Sequence, residues 1–218
     1  MKKTIDQIVS CIMAVALSAS CLHSTFNRCP DIHAADTFLG TEVYELPDYP
    51  LRVQSGPTCW AATIASMAEY INGRRYMNEE IIARYIAVTG NQFNGGININ
   101  EALEVIKDVI PSHTPQLQNS FMAPFWIRYT LSRNRPSYIR GTAYNSDGSV
   151  AAGHAVALVG YTEHKYESGN DKIIYISYMN PQSGEIRQAH YSSDGNNYFF
   201  SNSYQSKYMW DGSIYFIM

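Results

Sequence analysis

Apolar residues recur at helical spacing between Thr58 and Ile71, where Trp60, Ala61, Ile64, Ala65, Met67, Ala68 and Ile71 repeat with a 3.6-residue period. The spacing predicts a helix that starts at Thr58 as cap and stops at Asn72-Gly73. A second helix is predicted over Asn78–Val88, with Asn78 as cap and Glu79 and Glu80 at its positive dipole end. A third fits Asn100–Ile110, which buries Leu103, Val105, Ile106 and Ile110 and is stopped by Pro111; the Gly- and Asn-rich stretch Gly90–Ile97 links the two. A shorter helix fits Pro124–Ser132. Before the helices, Thr37–Val53 holds Pro47 and Pro50 and reads as an extended lead-in across the surface. After Pro136 the pattern changes. Ser137–Gly141, His154–Tyr161, Ile173–Met179, Glu185–Tyr191 and Ser213–Ile217 are short runs rich in Val, Ile and Tyr, bounded by Gly, Asn, Asp and Ser. Helices first and strands second predict an α+β domain in which a C-terminal antiparallel β-sheet packs on an N-terminal helical half.

The first 34 residues break this pattern. Lys2 and Lys3 precede a largely apolar stretch, Ile8–Leu22, which is shorter than the roughly 20 residues of a membrane span and is followed by polar sequence. Residues 1–34 therefore read as a signal peptide, and residues 35–218 as the folded domain. Cleavage after Ala34 places the boundary just before globular patterning begins at Asp36, although Ser18-Ala19-Ser20 suits the small-residue rule better. The expected location is secreted or extracellular, with lipoprotein anchoring through Cys21 as the alternative.

Composition narrows the function classes. Of 218 residues, 45% are apolar and 16% charged, enough to build a core and to exclude wholesale disorder. The balance is 16 Lys+Arg against 19 Asp+Glu, without a basic block, which argues against nucleic-acid binding. Removing the export segment also removes Cys11, Cys21 and Cys29 and leaves Cys59 as a lone thiol, unable to form an intrachain disulfide. A buried small hydrophobe is the plain reading of such a residue.

Its neighbours point elsewhere. Gln54-Ser55-Gly56-Pro57-Thr58-Cys59-Trp60-Ala61-Ala62 puts the thiol at a helix start, where unsatisfied N–H groups and the dipole favour thiolate and lower the pKa. The Cys59 N–H and the Gln54 side-chain amide would form two donors for a tetrahedral oxyanion. A cysteine nucleophile needs a base. His154, in Gly153-His154-Ala155-Val156, stands at the mouth of the most apolar strand and is the best placed of six histidines. Asn180, held at a strand tip by Pro181, would accept a hydrogen bond from the imidazole and fix its tautomer.

With these segments in order, the chain resembles the papain-like cysteine peptidases. The likeness is to the compact bacterial branch that includes C39-like peptidases, bacteriocin-leader peptidases and type III effector proteases with a Cys-Trp-Ala-Ala helix start. It spans roughly Val53 to Gly184 and departs in two respects: Gln54 precedes Cys59 by five positions where six is usual, and Cys59 lacks the preceding Cys-Gly-Ser of the larger lysosomal-type enzymes. The resemblance implies a papain-like fold with Gln54 as oxyanion donor, Cys59 as nucleophile, His154 as base and acid, and Asn180 as the orienting residue. The expected activity is peptide-bond hydrolysis through a thioester acyl-enzyme, acting on a peptide or protein and needing neither metal nor organic cofactor. Two rivals share the residues: an acyl or peptidyl transferase of the same fold, and a catalytically silent cell-surface binding module with Cys59 buried. Nothing in the residues specifies an oligomeric state.

Overall fold

The structure is a computed structural model that describes residues 37–167, 172–192, 197–200 and 207–217. The signal peptide expected over 1–34 lies outside the described residues.

Four helices are present among the described residues: α1 (Cys59–Asn72), α2 (Asn78–Thr89), α3 (Ile99–Val109) and α4 (Pro124–Leu131). Eight strands accompany them: β1 (Phe38–Glu45), β2 (Thr114–Gln118), β3 (Ser137–Tyr144), β4 (Val150–Tyr166), β5 (Ile173–Asn180), β6 (Glu185–Tyr191), β7 (Tyr198–Phe200) and β8 (Lys207–Ile217). They form one antiparallel sheet in the order β2-β8-β3-β4-β5-β6, with β1 paired to β4 and β7 to β8. The architecture is α+β, with α1 to α3 preceding most of the sheet, as the change of period at Pro136 predicts.

α1 is the organising helix. Every residue from Trp60 to Ala68 is buried, because the helix is covered on all sides. Its alanines let the sheet approach, and Thr63 Oγ1 donates to the Ala155 carbonyl at 3.1 Å, tying α1 to the centre of β4. Gly73 ends the helix in the left-handed conformation (φ 68°), its N–H returning to the Glu69 carbonyl.

Several local expectations are corrected. The lead-in is a strand as far as Glu45, pairing in register from Thr41↔His164 to Glu45↔Gly160 along the end of β4 that extends past β3. Its side chains are half-buried or exposed, so it carries little apolar signal. Asn78, expected as a cap, is instead the first residue of its helix; Met77 stands in the cap position without a side-chain bond, and Asn78 Nδ2 donates to the Val53 carbonyl at 3.0 Å. α3 begins one residue early, on a capping box between Asn98 and Glu101. β4 begins at Val150, four residues before His154, because its first residues are exposed and carry no hydrophobic period. His154 thus lies inside a strand, opposite Gly141, and not at its mouth.

Candidate active site

Cys59 is the first residue of α1 and is a free, partly exposed thiol. Thr58 precedes it as expected but does not cap the helix. Its hydroxyl turns back, donating to the Ser55 carbonyl and accepting from the Ser55 N–H. No side chain therefore covers the first N–H groups of α1, which are left to act on whatever occupies the space beside Cys59.

That space is a cleft of about 120 Å³ lined by both Cys59 and His154. Two contacts between α1 and β4 bring the two together. Thr63 holds α1 on β4, the Ala155 N–H reaches the Cys59 sulfur, and His154 is the preceding residue of β4. One wall is the loop before α3, where Gly96 and Ile97 line the cleft. Trp60 pins that loop by donating from its indole Nε1 to the Gly95 carbonyl at 3.1 Å, and its ring packs on Tyr85 and Phe93.

His154 is buried, and its Nε2 lies 2.9 Å from Asn180 Oδ1. The side-chain oxygen of Asn180 has no proton to give, so Nε2 is the protonated nitrogen and Nδ1 carries the lone pair. Asn180 is fully buried at the end of β5. The same oxygen accepts the Gln182 N–H at 3.1 Å, and the Asn180 carbonyl accepts the Gly184 N–H at 2.8 Å, so the turn after Pro181 fixes the amide. Phe199 and Tyr208 flank the imidazole, with ring centroids 6.2 and 5.2 Å away. Gly141 makes room for them, since a Cβ there would come within 2.5 Å of the Phe199 ring.

Gln54 stands apart from these three. Its backbone N–H donates to the Pro181 carbonyl at 2.8 Å, joining the loop before the thiol to the turn after Asn180. Its side-chain Nε2 donates to the Gly56 carbonyl at 2.8 Å, within its own loop. Gln54 is not among the residues lining the cleft. One amide N–H remains free of that bond.

The electrostatics differ from the sequence expectation. Burial pushes the Cys59 thiol above its ordinary pKa, outweighing the backbone N–H groups of Ala155, Trp60 and Cys59 that pull it down. Burial pushes His154 below the usual imidazole value, against the opposing effect of its bond to Asn180. Both shifts favour the uncharged forms, a thiol beside a neutral imidazole, and so a general-base arrangement over a preformed ion pair. Among the described residues no group of three or more His, Cys, Asp or Glu is placed to hold a metal ion. No helix among them is long and apolar enough to cross a membrane.

Sequence reasoning missed Thr63, Gly141, Phe199 and Tyr208, whose roles depend on cross-strand register. It also missed Arg140, which lines the cleft from β3. A Gly opposite the candidate histidine is a usable signal only once the β3–β4 hairpin is in register.

A family model described as papain-like cysteine protease AvrRpt2 matches residues 43–198, a span containing Gln54, Cys59, His154 and Asn180. Among solved structures the chain is similar to the peptidase domain of Streptococcus ComA, a bi-functional ABC transporter involved in a quorum-sensing pathway. That match has 14% identity and a TM-score of 0.43, covering 77% of this chain and 97% of the other. No curated protein matches the chain.

Proposed function

The chain belongs to the papain-like cysteine proteases of the AvrRpt2 family, and from that premise we propose that it hydrolyses peptide bonds with Cys59 as nucleophile, His154 as base and acid, and Asn180 as positioning residue. The Cys59 proton passes to His154 Nδ1 as sulfur adds to the carbonyl carbon of the substrate. The C–N bond breaks, the amine leaves with the proton held by His154, and a thioester remains. Water then adds, giving a proton to His154. The C–S bond breaks, that proton returns to the sulfur, and the acid product departs. The oxyanion of each tetrahedral species is held by the Cys59 N–H together with the remaining amide N–H of Gln54. Engaging that second donor requires the Gln54 amide, which does not line the cleft here, to turn its free N–H toward it.

One observation carries this reading: an imidazole oriented through Nε2 by a buried amide, in the same small cleft as a lone thiol at a helix start. The experiment is a peptide-library digest with wild type, Cys59→Ala and His154→Ala. Cleavage by wild type alone, with all three folded by circular dichroism, supports the assignment. Undiminished cleavage by Cys59→Ala overturns it. The proposal extends to export. Residues 1–34 direct secretion and are removed, so N-terminal sequencing of protein recovered outside the cell should begin at Ala35; recovery of unprocessed chain only from inside the cell would refute this.

A further inference from the structure

One charged side chain enters the cleft, and the proposed hydrolysis does not use it. Arg140, on β3 directly opposite Ala155, lines the same space as Cys59 and His154. The other side chains there, including Trp60, Ile97 and Tyr138, carry no fixed charge.

Arg140 is held from behind. Its Nε donates to Asp211 Oδ1 at 2.8 Å, and Nη2 reaches the Asp211 carbonyl only at 3.5 Å. The second carboxylate oxygen of Asp211 is taken by the Thr142 hydroxyl. Gly212 keeps the arrangement tight, because a Cβ there would sit 3.3 Å from Arg140 Nε. Asp211 therefore sets the plane of the guanidinium through one edge. The Nη1 pair makes no hydrogen bond among the described residues, and the side chain is 30% exposed. An oriented fork with unspent donors, lining the same cleft as Cys59 and His154, is suited to a carboxylate. A purely structural ion pair between β3 and β8 has no need to lie in the cleft.

We propose that Arg140 is a specificity-determining residue that reads an acidic side chain next to the scissile bond of the substrate. This rests on the cleft being the peptidase site. The carboxylate occupies the open edge of the guanidinium, and Asp211 holds that edge in place.

The test uses a peptide cleaved by the wild-type enzyme, with Glu and Gln exchanged at each position flanking the scissile bond, and reads kcat/KM for each pair. Glu at one position should be favoured over Gln by about tenfold, as expected for a charge-assisted hydrogen bond. Added salt should reduce the preference. In Arg140→Met the Glu/Gln ratio should fall toward one, and Arg140→Lys should restore part of it. Arg140→Met with Asp211→Asn provides a second variant in which no acid is left unpaired, and it should behave as Arg140→Met does. A Glu/Gln ratio near one in wild type at every position overturns the proposal, as does an unchanged ratio in either Met variant. Cys59-dependent cleavage without an Arg140-dependent ratio removes this inference alone, whereas cleavage independent of Cys59 removes the peptidase reading beneath it.

Discussion

Replacing Asn180 by Ala isolates the contact that orients the imidazole. In the resting enzyme the bond joins neutral partners, but as His154 takes the thiol proton it becomes a bond from imidazolium, worth about 1.5–3 kcal/mol. Only the increment over the neutral bond, about 1–1.5 kcal/mol, enters the barrier, so at 1.36 kcal/mol per tenfold kcat/KM should fall roughly 5- to 15-fold, chiefly through kcat, because Asn180 does not line the cleft. Stability should fall as well, by about 1–3 kcal/mol, since the substitution strands the buried Nε2–H and the Gln182 N–H. A structural role alone predicts the second effect without the first in the fraction that remains folded. The pH dependence separates them further. Asn180 raises the pKa of His154 against burial, so Asn180→Ala should move the acid limb of kcat/KM to lower pH. Asn180→Asp, which places a carboxylate on the imidazolium, should move it to higher pH. Steady-state kinetics across pH with urea melts of each variant make the measurement. Wild-type kcat/KM in Asn180→Ala, or an acid limb that moves in neither variant, refutes the positioning role.

Other expectations follow from the same geometry. With the thiol raised and the imidazole lowered, kcat/KM should rise as pH climbs through a His154 pKa below the ordinary value, because only the neutral imidazole accepts the proton. Alkylation of free enzyme by iodoacetamide should likewise increase into the alkaline range, with a midpoint above that of an ordinary thiol; a plateau at mildly acidic pH that vanishes in His154→Ala would instead reveal an ion pair. Gly141→Ala forces a Cβ to 2.5 Å from the Phe199 ring and 2.9 Å from Tyr208 Cβ. It should cost about 1–3 kcal/mol in a denaturant melt and lower kcat by moving the rings that flank His154. A variant with wild-type stability and rate would show that these rings do not hold the imidazole. Trp60→Phe removes the bond to the Gly95 carbonyl, at about 0.5–1.5 kcal/mol. The loosened wall should raise KM more than it lowers kcat and speed amide exchange at Gly96 and Ile97, and unchanged exchange there would contradict the pinning role.

What was legible in the chain was the part carried by local residue type. Helical spacing after Thr58 placed Cys59 at a helix start, and the step from Met179 to Asn180-Pro181 placed an amide at a strand end, because each depends on a few adjacent residues. The strand β1 was not legible, since Phe38–Glu45 packs on a projecting part of β4 and never buries a full face. Nor was the cradle of His154. Phe199 and Tyr208 reach the imidazole only after β7, β8 and β3 are in register, and nothing in their own segments marks them.

The state of the sulfur shows why reading the motif was not enough. A thiol at a helix start has two environments acting in opposite directions. The N–H groups of Cys59 and Trp60 are local and visible in the sequence, and they favour thiolate. Burial comes largely from segments distant in the chain, among them the loop at Gly96 and Ile97, β3 and β4, and favours thiol. In the folded molecule the distant contribution wins, even though β4 also supplies the Ala155 N–H as a third donor. The consequence is mechanistic. In the proposed mechanism a sulfur biased toward the thiol needs a base, and His154 can serve only if it is both neutral and aimed; burial favours the first and the bond to Asn180 the second. On that mechanism the activation of Cys59 would rest on the β4–β5 pairing, which joins His154 to Asn180, more than on the helix on which the cysteine sits.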